Sequence, residues 1–175
     1  MKPLVQVGQS YMALSEGDQK QRAGLFEEAA ASYNRAMIVS RTIPEDEAYD
    51  HQGFDALCYT GLSGAMAELK QYEEALASAD IALRYFNRRG ELNQDEGIYW
   101  IAAVRNRAAA LAGTGRPEEA LQAYRTASEM IAERKADIPD KAEQLRIIDG
   151  HISKLQALIP DKKPAGYKAW WEFWS

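Results

Sequence analysis

Glu47, His51 and Asp55 stand four residues apart, with Asp46 and Asp50 beside them. On one helix this spacing gathers two carboxylates and an imidazole on a single face, a set that could bind a metal or move protons. Di-metal helical sites need Glu-x-x-His from two helices at once, and the chain's second histidine is the distant His151. The plainer expectation is a solvated acidic helix start with His51 at its edge, no metal and no other cofactor. Cys58 is the only cysteine, so an internal disulfide framework is excluded. It falls on an apolar helix face, where an inert buried thiol is the usual state. Gly113-Thr114-Gly115 runs into Arg116-Pro117 and lacks the Gly-Lys-Ser/Thr ending of a phosphate-binding loop. No Ser/His/Asp nucleophile motif stands out, and Arg88 and Arg89 read as charges at a helix C-terminus. The chain is expected not to be an enzyme.

A second kind of chemistry is apolar. Of four tryptophans, three lie in the last six residues. Tyr167, Trp170, Trp171 and Trp174 are spaced i, i+3, i+4 and i+7, one face of a helix. So short a helix is not stable alone in water, and four exposed aromatics are a solubility hazard. The segment is therefore expected to fold back on its own domain, to dock in another chain (a copy of itself or a different protein), or to sit at a membrane interface. Residues 161–166, Asp-Lys-Lys-Pro-Ala-Gly, read as the hinge before it.

The elements that position these groups read as helices throughout. The chain has 175 residues, 46% apolar and 27% charged, enough for one domain with a real core. Its net charge of −5 argues against a nucleic-acid surface. No signal-peptide stretch and no transmembrane run appears, so a cytoplasmic protein is expected. Leu4, Val7, Tyr11 and Leu14 open a first helix; residues 27–42 return after Gly24. Pro44 and the acids after it predict a long third helix over 44–70. Helices are expected at 72–87, from a cap at Asn93 to 112, and at 118–135. Leu145, Ile148, Ile152, Leu155 and Ile159 form the stripe of a capping helix over 139–159. Gly150 inside it costs about 1 kcal/mol against alanine, which packing must offset.

One pattern recurs: Phe26-Glu27-Glu28-Ala29, Tyr72-Glu73-Glu74-Ala75 and Pro117-Glu118-Glu119-Ala120. The alanines lie 46 and 45 residues apart, a period of stacked helical pairs. Gly24, Phe26, Ala29, Tyr33 and Ala36 resemble the turn and second helix of the tetratricopeptide repeat (TPR), a 34-residue helix–turn–helix unit. Tyr72, Ala75 and Ala82 resemble it in the second unit, with Ala79 in place of the aromatic. Gly115, Ala120, Tyr124 and Ala127 do so in the third, with Pro117 at an aromatic position. Among first helices, Tyr59, Leu62 and Met66 fit best. Residues 49–56 and 87–97 bring the chain close to a small, uncharacterised bacterial TPR-like group. The 11 or 12 extra residues per repeat are expected to lengthen the helices around 45–55 and to join units through 87–93.

The resemblance implies an all-α, TPR-like right-handed superhelix of three elongated hairpins (about 3–43, 44–88 and 91–135), a capping helix at 139–159 and a short aromatic tail helix at 167–175. It places residues 1–160 in the repeat domain. It also implies a groove lined by the first helix of each pair. The family's groove positions map onto Tyr11, Leu14 and Asp18, then Leu57, Thr60, Gly64 and Ala67, then Ala102, Arg105, Ala109 and Ala112. Arg105 is the only basic residue among them, so a multi-cation clamp on a peptide carboxylate is not expected. A shallow apolar groove that admits a partner helix is, although Gly and Ala there also serve plain packing. The expected function is a protein-interaction module, an adaptor or subunit of a larger bacterial assembly, using the groove, the tail or both. The partner is another protein or a peptide helix, with a homo-oligomer through the tail as one form. The alternative is a small-ligand or peptide sensor gated by its own tail.

Overall fold

A computed structural model describes residues 3–160. The expected hinge and aromatic helix, with Tyr167, Trp170, Trp171 and Trp174, lie outside the described residues. The described chain is all-helical: α1 Pro3–Arg22, α2 Phe26–Ser40, α3 His51–Glu68, α4 Tyr72–Arg89, α5 Gly97–Gly113, α6 Pro117–Glu133 and α7 Lys141–Leu158. Helices α1–α2, α3–α4 and α5–α6 pair as antiparallel hairpins. Each second helix packs on the next first helix, α3 lies against α5, and α7 closes the stack on α6.

The repeated sequence builds a repeated turn. Gly24 (φ +77°), Lys70 (φ +60°) and Gly115 (φ +75°) take the left-handed conformation at equivalent places. The next residue reaches back each time: Leu25, Gln71 and Arg116 N–H donate to the Lys20, Met66 and Leu111 carbonyls, all at 2.9 Å. This closes the last helical turn with a left-handed residue just past its end. The following helix then starts with two glutamates in its first turn, where the helix dipole favours them.

Alanine sets the spacing of the stack. Ala29, Ala75 and Ala120, and their repeat partners Ala36, Ala82 and Ala127, are all fully buried. Small side chains let the helices approach closely, and Tyr33, Tyr124 and Phe54 fill the space between hairpins. In α7 the stripe behaves as read, with Ile148 and Leu155 buried and Leu145, Ile152 and Ile159 half-buried.

Three expectations need correction. Residues 41–50 form a connection rather than the start of α3. Buried Ile43 and half-buried Tyr49 pin this segment to the core. Asp50 then caps α3, its Oδ1 accepting from Gly53 N–H at 2.9 Å and its Oδ2 from Tyr85 Oη at 2.6 Å. Much of the extra length per repeat therefore lies between helices. Asn93 does not cap α5; its side chain accepts from Lys135 N–H at 2.8 Å. The helix starts at Gly97, where a Cβ would lie 2.0 Å from the Leu92 carbonyl oxygen. Helix α1 opens as read, with Leu4 exposed and Tyr11 46% exposed, and its buried face runs through Ser10, Ala13, Leu14 and Gly17. Finally, a Cβ on Gly150 would meet nothing within 4 Å, so close packing does not offset that glycine.

Candidate functional site

Helices α1, α3 and α5 share one face, and a hollow of about 300 Å³ opens in it. Its walls are built by residues far apart in sequence. Tyr33 reaches through from α2 because α1 and α3 offer glycine where its ring lies. A Cβ on Gly17 would stand 2.6 Å from the ring, and one on Gly61 2.3 Å. Tyr33 Oη lies 2.9 Å from Asp18 Oδ1 and 3.0 Å from Gln21 Oε1, and its one proton serves either. Burial raises the Asp18 carboxyl above its usual range, against the opposing pull of the Tyr33 bond and Arg22. Burial likewise raises the Tyr99 phenol, helped by Asp18.

The α5 wall carries Tyr99, Ala102, Arg105 and Asn106. Asn106 Nδ2 donates to the Thr60 carbonyl and to Ser63 Oγ, each at 3.0 Å, and so fixes α5 on α3. Arg105 is half-buried and has no carboxylate partner among the described residues. Its Nη1 donates to Gln144 Oε1 at 3.3 Å, while Gln144 Nε2 donates to the Pro139 carbonyl at 2.8 Å. Burial lowers the guanidinium from its ordinary value, and Tyr124 opposes the shift. Guanidinium carries five N–H donors, and the bond to Gln144 uses one of them.

Residues 2–145 match the family described as Domain of Unknown Function (DUF3856). The chain belongs to this family. A crystal structure of a TPR-like protein from Chlorobium tepidum TLS is 51% identical to this DUF3856 chain, with a TM-score of 0.84. The match covers 89% of this chain and 99% of that one. The DUF3856 chain is thus TPR-like, as its repeats read. No curated protein matches it.

The positions mapped from the repeat spacing separate in the DUF3856 fold. Asp18, Thr60, Ala102 and Arg105 line the hollow. Thr60 is 3% exposed, its hydroxyl donating to the Ala56 carbonyl at 2.9 Å. Gly64 lies beneath Gln21 and Asn106, with a Cβ position 2.6 Å from Gln21 Nε2. Leu14 and Leu57 are core residues, 4% and 7% exposed. Tyr11 stands edge-on to Phe54, ring centroids 4.9 Å apart. Arg22, Tyr99 and Asn106 were not read from the sequence. Tyr99 and Asn106 lie about one turn either side of Ala102, and a polar Asn-Arg pair inside an alanine-rich helix was the available signal.

The acidic group around His51 does not assemble as spaced. Glu47 lies in the 41–50 connection, off the helix that carries His51 and Asp55. Asp50 is occupied as the α3 cap; burial alone would raise its carboxyl, but the Tyr85 and Gly53 bonds hold it below its usual range. Tyr49 Oη, His51 Nε2 and Asp55 Oδ1 are buried without a hydrogen-bond partner among the described residues. Among the described residues no three His, Cys, Asp or Glu side chains could hold a metal ion. Cys58 is fully buried, and burial pushes its thiol far up. No helix among the described residues is long and apolar enough to cross a membrane.

Proposed function

We propose that this protein is a non-catalytic protein-interaction module that binds an acidic peptide segment on the α1–α3–α5 face. It would work as an adaptor or as a subunit of a larger assembly. The TPR-like fold supports the interaction role. The observation that carries the ligand's charge is Arg105, a half-buried cation that shares the hollow with Arg22 and Asp18 and has, among the described residues, one neutral partner and no carboxylate partner. An anion that takes the free guanidinium donors repairs this imbalance with charge-assisted bonds. Asn106 and Tyr99 flank it, and Ala102 supplies an apolar wall.

Fluorescence anisotropy with peptide pairs tests this. Each pair differs only by Asp or Glu against Asn or Gln beside apolar residues. A hydrogen bond to a charged group contributes roughly 1.5–3 kcal/mol, or about 10- to 100-fold in affinity. The acidic member should win by that factor, and Arg105→Gln should bring the ratio near unity. Equal binding of both members to the unaltered protein refutes the proposal. A second reading has one observation in its favour: about 300 Å³ suits a small ligand. A free dicarboxylate that raises Tm, where acidic peptides do not, would favour that sensor reading.

A further inference from the structure

A larger hollow lies on the other side of the stack. Helices α4 and α6 straddle α5 and leave a groove of about 1030 Å³ between them. Leu83, Val104, Ala123 and Met130 reach it with 8–9% exposure each, among the highest values in the core. Trp100 stands in the same groove, its Nε1 donating to Asn87 Oδ1 at 3.0 Å. A volume at the upper end of small-ligand sites and a mostly apolar lining suit a short run of bulky side chains.

We infer that this groove is the seat of residues 167–175 of the same chain. The inference is independent of the acidic-peptide reading. Position supports it first. His151 of α7 stacks on Tyr124 of α6, ring centroids 4.8 Å apart and planes 3° from parallel. The helices run antiparallel across a short connection, so Leu158, seven residues past His151, lies level with Pro117, seven before Tyr124. The chain therefore leaves α7 beside the start of α6, where Glu119 edges the groove. Six residues, 161–166, reach at most about 20 Å. That is enough to round one helix end, about 10–12 Å across.

Composition supports it next. Tyr167, Trp170, Trp171 and Trp174 supply an apolar stripe, and each such ring buries about 150–250 Å² when docked. Three lysines against Asp161 and Glu172 give residues 161–175 a charge of +1 in a chain of net −5. The groove edge carries Asp80, Glu119 and Glu133 against Arg84 and Arg107, a balance of −1, with Asp80 paired to Arg107 and Glu119 to Arg116.

Trp100 reports on occupancy, since it is the only indole outside the segment. Two full-length chains are compared: Trp170, Trp171 and Trp174 all changed to Phe, which keeps the stripe, or all to Ser, which removes it. The Phe chain should show Trp100 emission at shorter wavelength and acrylamide quenching roughly twofold weaker than the Ser chain. Both values should hold between roughly 1 and 100 μM, as an intramolecular contact requires. Ala77→Glu, on the exposed groove wall, should return the Phe chain to the Ser chain's values without changing its circular dichroism. Identical Trp100 signals in the two chains overturn the assignment. So does protection that survives Ala77→Glu. Protection that grows with concentration assigns the groove to a second copy and overturns the intrachain seat.

Discussion

Gly61→Ala offers the sharpest test of how the stack is held. In an exposed helix interior the exchange of glycine for alanine stabilises by about 1 kcal/mol. At position 61 the added Cβ would stand 2.3, 2.4 and 2.7 Å from three atoms of the Tyr33 ring. Ordinary contact begins about 1 Å further out, so the ring must shift by that much. The ring has little room to move: Tyr33 is 1% exposed, and Gly17 also packs against it, with a Cβ position 2.6 Å away. Overpacking of this kind costs about 1–3 kcal/mol, and a rigid ring puts this case at the upper end. The net expectation is a loss of about 1–2 kcal/mol, a drop of roughly 0.5–1 M in urea midpoint. Gly150→Ala is the control, because a Cβ there meets nothing within 4 Å. It should stabilise by about 1 kcal/mol. Urea unfolding followed by circular dichroism reads both. If Gly61→Ala stabilises as much as Gly150→Ala, the seating of Tyr33 between two glycines is wrong.

Three further outcomes follow from the same geometry. Lys70 occupies the left-handed turn position that glycine takes in the other two hairpins, so Lys70→Gly should stabilise by about 0.5–1 kcal/mol in the same assay. Arg134 is 7% exposed and donates through Nη1 to the Leu92 carbonyl and, at 2.7 Å, to that of Gln94. Arg134→Met leaves the Leu92 carbonyl without a partner, while that of Gln94 keeps the Gly97 N–H, and should cost about 1–3 kcal/mol, with faster amide exchange confined first to residues 92–97. His151 is lowered by burial, then by Lys154 and Arg105, so the folded state prefers the neutral ring. Its contribution is complete above the ordinary imidazole pKa of about 6.5 and is lost as pH falls through the lowered value. Stability should fall as pH drops below the ordinary imidazole value of about 6.5, and His151→Phe should flatten that fall while keeping a ring against Tyr124. An equal slope in both proteins would exclude His151 as its source.

The hairpins were legible because their signal is local. The Glu-Glu-Ala pattern fixes a helix start, and each repeat alanine marks a fully buried position. The third helix was misplaced for a local reason as well. Pro44 with three acids imitates a helix start, whereas burial of Ile43 and the Asp50–Tyr85 bond settle the matter across 35 residues of chain. Arg105 and Thr60 came from repeat spacing. Asn106 did not, since its partners Thr60 and Ser63 lie 46 and 43 residues away. Gly61 was equally silent: what it accommodates is a tyrosine from another hairpin.

Asn106 has a mechanical consequence. Seams faced with alanine are smooth, and two such helices can slide past one another with little change in buried area. The side chain of Asn106, hooked on one carbonyl and one hydroxyl of α3, allows a single setting. It acts as a detent. The pitch from the second hairpin to the third is then set on the α3 side by one amide, while Arg107–Asp80 and Trp100–Asn87 tie α5 to α4.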